Sequence, residues 1–425
     1  MYSNRQSFTP TFLTGFLFCL LLSAMSTACG DVEFRRGRVN MFADAERTNS
    51  YEKYGTFNST LIMEVDLKAR EGEERLSMAG AIAPPLVLHS DLVVLAGSDG
   101  VISKVSADRV DWQITLPNES VVAAAMVADA GQNLYMQCSD GILRSYDTSG
   151  TLRWEHRLGE AEEIVSFSDL LMLPGRIIAC DSRGRIHCVD TVGALKWKRI
   201  STTAVAQVPA GDSSGNLYAY NTHNKYGESD SLNKYDENGG LLWTRPFAAT
   251  RLFKGPIIVD DKTIVAGVKQ NGENRVPVMH VLDRMGRVVW SRELVATPRG
   301  LSASADGTLF VTSYDAAPGD TRSVVSAITP QGDEEWSREF NFKIPGPALV
   351  SRNALAFTGI RKNSSTGLYL LRRDGSFREV ISMSALPIVN LHAAAGNNAD
   401  VIYAMSEKLG YVAIGESSVH RILPF

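Results

Sequence analysis

The chain is poor in the residues that catalysis and metal binding draw on. Its seven histidines (His89, His156, His187, His223, His280, His392 and His420) are scattered, and none stands in an HxH or HExxH spacing that would bring two imidazoles to one metal. No Asp-x-Asp-x-Asp-Gly loop supports calcium, no GxxxxGK[ST] loop supports nucleotide hydrolysis, and no two cysteines are adjacent. Neither sign of charge dominates: 43 Lys and Arg against 47 Asp and Glu leave a formal net charge of -4, with no electrostatic footprint for nucleic acid. The acidic clusters Glu160-Ala161-Glu162-Glu163, Asp260-Asp261 and Asp333-Glu334-Glu335 fall between the expected strands, where charged loop residues belong, and do not read as a general acid and base. Apolar residues make up 44 % of the chain and charged residues 21 %, which provides a full core and argues against disorder.

The apolar run at the start, Phe12 to Met25, is too short for a stable membrane span. It follows Arg5 and precedes Ser26-Thr27-Ala28-Cys29-Gly30, the arrangement of an export signal with small residues before a cysteine. Residues 1–28 are therefore expected to be removed, which deletes one Arg and no acidic residue and moves the net charge from -4 to -5. Residues 29–55, with FRRGR, Asp44, Glu46, Arg47 and Glu52, have no apolar period and read as a polar tether ahead of a domain covering 56–425. Of the five cysteines, Cys19 leaves with the signal and Cys29 ends it, so Cys138, Cys180 and Cys188 remain. Cys180 and Cys188 flank the turn Ser182-Arg183-Gly184-Arg185 on neighbouring strands of one hairpin. They bridge if a three-residue loop sets them opposite each other, and are otherwise buried thiols. The pair alone supplies too few ligands for zinc.

The dominant pattern is carried by six tryptophans. Trp112, Trp154, Trp197, Trp243, Trp290 and Trp336 are separated by 42, 43, 46, 47 and 46 residues, and the last five close the segments YDTSGTLRW, VDTVGALKW, YDENGGLLW, LDRMGRVVW and ITPQGDEEW. A period in the forties with strand-like segments predicts a β-propeller with one four-stranded blade per repeat. Asp147, Asp190, Asp236 and Asp283 recur at one repeat position and are expected to close the turn before the Trp strand through Asx-type hydrogen bonds, with glycine supplying positive φ. A seventh unit covers Pro347 to Ile381, with Phe377 read at the Trp position. Three further strands are expected at Leu391–Ala395, Val401–Met405 and Tyr411–Ile414. The missing fourth strand is assigned to Leu61–Leu67, so that an N-terminal strand closes an all-β ring of eight blades; 57–425 then gives about 46 residues per blade. Thr222–Asp230 and Ala316–Thr321 read as polar loops displayed on a face.

The recurrent Asp-x-x-Gly-x-x-x-Trp pattern resembles the quinoprotein (PQQ-like) propeller repeat, and its combination with the signal is similar to the BamB-like lipoproteins of the outer-membrane β-barrel assembly machinery. That resemblance implies lipidation of Cys29, with plain secretion as the alternative, and Gly30 at the next position favours the outer membrane. It also implies that the six tryptophans dock neighbouring blades and are structural. Quinone-dependent dehydrogenases of the same repeat type carry adjacent cysteines against the cofactor, which this chain lacks, and are much longer. The expected function is thus a non-catalytic, monomeric scaffold, without cofactor or metal, that binds protein partners in the cell envelope at the periplasmic face of the outer membrane. The competing reading is a propeller that senses a small molecule or glycan.

Overall fold

Strands of two to ten residues account for nearly all the regular structure. The computed structural model describes residues 83–415 apart from 84–85, 89–91, 98, 106–109, 160–167, 181–183, 201–208, 222–228, 316–321, 362–365, 384–387, 391–400 and 407–409. These belong to one compact unit, Arg38–Phe425. Among the described residues there is no α-helix, only a short 3-10 turn at Pro117–Glu119, and no helix long and apolar enough to cross a membrane.

The strands form eight antiparallel sheets, seven of four strands and one of three, each built from consecutive segments. The outer strands of the first six blades are Val110–Thr115, Leu152–Arg157, Leu195–Ile200, Leu241–Pro246, Val288–Glu293 and Glu334–Phe340, and each holds one of the six tryptophans. From the second blade to the seventh, the first strand of each blade lies against the first strand of the next, which is the inner ring of a propeller. Small residues permit this close approach: a Cβ on Gly300 would stand 2.2 Å from the Cα of Pro347 in the neighbouring blade.

Burial explains why the inner strands are apolar along their whole length rather than alternating. In Arg176–Cys180, Ile177 and Ala179 pack into the layer shared with blade two, while Ile178 and Cys180 pack into the layer shared with blade four. Successive side chains point to opposite faces of a strand, and both faces of each blade are covered by neighbours. Six such layers occur between blades one and seven, each with one tryptophan at its margin. No blade has a core of its own.

One sequence expectation needs correction here, and one open alternative is resolved. Phe377 is not at the tryptophan position: it pairs with Leu371, the place that Glu334 takes in blade six, whereas Trp336 pairs with Ala327 and its equivalent in blade seven is Glu379. Cys180 pairs with Ile186 and Cys188 with Ile178, two residues out of register, and both remain thiols. In the eighth sheet Ile388–Asn390 is a strand, and the expected strand Leu391–Ala395 lies outside the described residues. The polar loops at 222–228 and 316–321, and the closing strand 61–67, lie outside the described residues.

Deleting residues 57–68 is expected to leave an open sheet edge and convert a soluble monomer into aggregates. Size-exclusion chromatography with light scattering checks this, and a monomer of unchanged melting temperature would rule the closure out.

Candidate functional site

The six sequence-selected tryptophans form one repeated device. Each indole Nε1 donates to a backbone carbonyl in the third-to-fourth-strand turn of the next blade: Trp112 to Thr148, Trp154 to Thr191, Trp197 to Glu237, Trp243 to Arg284, Trp290 to Pro330 and Trp336 to Arg373, at 2.9–3.1 Å. The ring lies on the glycine of that same turn. A Cβ on Gly239 would fall 2.7 Å from Cδ2 of Trp197, and its φ of +76° already disfavours any side chain. The turn is shaped by its aspartate: Asp236 Oδ1 accepts from the amides of Asn238 and Gly240, and Asp147, Asp190 and Asp283 repeat this pattern. The hydrogen bonds to their turns hold Asp147 and Asp283 below the usual carboxylate range. These four carboxylates shape the chain locally, as the repeat implied.

Other carboxylates serve the same purpose. Asp129 accepts from Asn133 and from the Tyr135 hydroxyl at 2.7 Å, and Asp212 accepts likewise from Asn216 and Tyr218 and pairs with Lys234 Nζ at 3.2 Å. Asp260 and Asp261 form the hairpin turn between Val259 and Lys262. Glu334 and Glu335 stand on a strand rather than between strands, and Glu334 meets Arg292 at 3.1 Å across the blade interface. Glu160–Glu163 lie outside the described residues.

Two arrangements were not legible as motifs. Arg144, with a side chain 1 % exposed, donates to both oxygens of Asp140 and to Glu155 at 2.8 Å. Burial opposes its charge, and the hydrogen bond to Asp140 leads the effects that outweigh that penalty. Removing one partner of such a cluster typically costs about 3–5 kcal/mol, which marks a structural element of blade two. His156 and His187, 31 positions apart in sequence, meet across blades two and three with Nε2···Nδ1 at 3.3 Å. The signal was positional: two residues after the tryptophan, Arg199, Arg292 and Arg338 reach the turn-glycine carbonyl of the next blade, and His156 occupies that place in blade two.

The cysteines are poor nucleophiles. Burial pushes the Cys138 and Cys188 thiols up to about 11. Among the described residues no group of three His, Cys, Asp or Glu is placed to hold a metal. Cys138, Cys180 and Cys188 sit within interblade cores. Cys29, His89, His223, His392 and His420 lie outside the described residues.

The repeat device and the sheet order together decide the class. The chain is a β-propeller built of PQQ-like repeats. A sequence profile of the family described as outer membrane protein assembly factor BamB matches residues 64–226. Among solved structures, BamB from Moraxella catarrhalis is similar over 78 % of this chain and 93 % of its own, with a TM-score of 0.58 and 20 % identity. A europium-containing methanol dehydrogenase is similar over 87 % of this chain and 90 % of its own, with a TM-score of 0.62 and 10 % identity. Sqt1 of Saccharomyces cerevisiae is similar over 80 % of this chain and 97 % of its own, with a TM-score of 0.57 and 10 % identity. No curated protein sequence matches the chain. At these identities the structures establish the fold, which an enzyme and an assembly factor share.

Two outcomes are expected of this PQQ-like propeller. Trp197→Ala should cost about 2–4 kcal/mol through loss of the half-buried ring and the cavity left behind, and Gly239→Ala should destabilise through the same clamp. Chemical denaturation measures both, and wild-type stability in either variant would refute the clamp. Burial, with the Lys269 and Arg245 charges, holds His280 down at about 4, and burial, with Lys198, holds His156 below its ordinary value. A histidine depressed in the folded state favours folding while neutral, so stability should be full above about pH 6.5 and fall as the pH drops toward 4. Melting temperatures across that window should decline less steeply for His280→Gln; an identical slope would exclude His280.

Proposed function

We propose that this propeller is a non-catalytic scaffold that binds protein partners in the cell envelope and takes part in outer-membrane protein assembly. The observation that carries the proposal is the allocation of its polar chemistry. The indoles join neighbouring blades, the turn aspartates shape the turns on which the indoles rest, the Arg144 cluster braces blade two, and the thiols are buried in interblade cores. What varies from blade to blade is surface, and a rigid disc with variable rims and loops is suited to holding other proteins. The profile match over 64–226 and the likeness to BamB support the same process, since that family is described as an outer-membrane assembly factor. In this reading residues 1–28 are a cleaved signal, Cys29 carries lipid and residues 29–55 tether a monomeric propeller to the periplasmic face of the outer membrane. Two or three acyl chains, at about 0.8 kcal/mol per buried CH2, suffice for a firm anchor.

The test compares wild type with Cys29→Ser. Wild type should fractionate with outer membranes and, after detergent extraction, co-purify with assembly components identified by mass spectrometry. The variant should be released in soluble form. Membrane association that survives the substitution would remove the anchor, and a wild-type preparation without protein partners would remove the scaffold.

A further inference from the structure

The repeat frame allows equivalent surface positions to be compared blade by blade. Two residues after the turn glycine, blades two to five all carry an apolar side chain (Leu152, Leu195, Leu241 and Val288), so that position belongs to the repeat and singles out no blade. The turn apex and the third residue after the glycine behave differently. At the apex, blades two, four, six and seven have Ser149, Asn238, Gln331 and Asp374, whereas blades three and five have Val192, 71 % exposed, and Met285, 62 % exposed. At the third residue, blades two, three, six and seven have Arg153, Lys196, Glu335 and Arg378, whereas blades four and five have Leu242, 51 % exposed, and Val289, 53 % exposed. Four large apolar side chains therefore replace polar ones on three consecutive blades, at the end of the outer strands where the Asp-x-x-Gly turns lie. The clamps fix these turns against their neighbours, so the four residues lie along one arc of the rim.

The arc is bounded by cations. Lys196, Lys198 and Arg284 are exposed there against one exposed glutamate, Glu237, while Asp190, Asp236 and Asp283 turn their carboxylates into their own backbones. The corresponding strand of blade six instead begins with Glu334 and Glu335. In a chain of net charge -4 this is a locally basic and apolar strip. The outer strand Leu241–Pro246 lies at its centre and is the last strand of its sheet, and among the described residues no strand pairs with its outward backbone edge.

We propose that this rim, across blades three to five, docks an extended segment of another protein in which acidic and apolar residues alternate, added as a fifth strand to Leu241–Pro246. Backbone pairing would supply affinity, the apolar residues of the arc would take alternate side chains, and the lysines would select acidic ones. The proposal rests on the scaffold reading and specifies its contact surface.

The test uses a fluorescein-labelled short peptide alternating valine and glutamate, titrated by anisotropy into the wild-type protein, into L242E, into L242E/V289E and into Gln331→Glu, which matches the single acidic change of L242E on blade six. The double substitution should raise Kd by about tenfold or more with an unchanged melting temperature, Gln331→Glu should leave it near wild type, and a valine–lysine peptide should not bind. Absence of wild-type binding, equal binding by L242E/V289E, or equal weakening by L242E and Gln331→Glu would overturn the proposal. Co-purification of envelope proteins is scored separately. If they accompany L242E/V289E as they do wild type, the scaffold reading stands and this rim is not its docking surface.

Discussion

Everything in this molecule depends on an indole lying flat on a glycine in the next blade. The contact has three inseparable parts: a ring that buries a large apolar area, a carbonyl placed to accept its N–H, and a turn with no Cβ where the ring must lie. The aspartate that begins the turn belongs to the same device, because its side chain fixes the loop on which the neighbouring tryptophan rests. Each blade thus presents a tryptophan to one neighbour and a turn to the other. The order of blades is fixed by chemistry that is local in sequence but satisfied only between repeats, as in other repeat proteins where stability lies largely at the interfaces.

The packing follows the same rule. Because alternate residues of one strand enter different interblade layers, a blade removed from the ring would expose both of its faces. This explains the continuous burial of strands such as Leu134–Gln137 and Ser323–Ile328, and the half-buried alternation that appears only in the outer strands. The six layers between blades one and seven each take side chains from two blades.

The architecture was legible because its determinants are periodic. The spacing of the six tryptophans and the four turn aspartates reports strand positions directly, and the expected hairpins recur with small shifts at their ends. What could not be read depends on register and on proximity between repeats. Phe377 looked like the tryptophan equivalent because it is the aromatic residue nearest the turn, yet the register, with a bulge between Leu370 and Leu371, puts the equivalent place at Glu379. Whether Cys180 and Cys188 stand opposite each other depends on loop length, which their spacing does not state. The His156 and His187 contact joins two blades and leaves no mark in either repeat alone. Arg144 is a cation on an inner strand, where the apolar pattern predicts none, and its partners Asp140 and Glu155 were hidden in a turn and an outer strand.

A fold shared by methanol dehydrogenase, BamB and Sqt1 cannot identify function by its outline, so the distinction must come from which residues the ring consumes. The recurrent positions, the tryptophan of blades one to six, the turn glycine of blades two to seven and usually the aspartate, serve assembly of the ring, since each is explained by its contact with a neighbour. Positions that differ between blades at equal exposure are not constrained by the ring, and their character must come from outside it. Val192, Leu242, Met285 and Val289 are of this second kind: the same places elsewhere hold serine, arginine, glutamate or aspartate without loss of the clamp. Water would favour those polar residues on a monomer, and an apolar strip beside an edge strand is a liability that proteins ordinarily blunt with charge. Its persistence on three adjacent blades, framed by lysines and arginine, is accounted for by a partner that covers it.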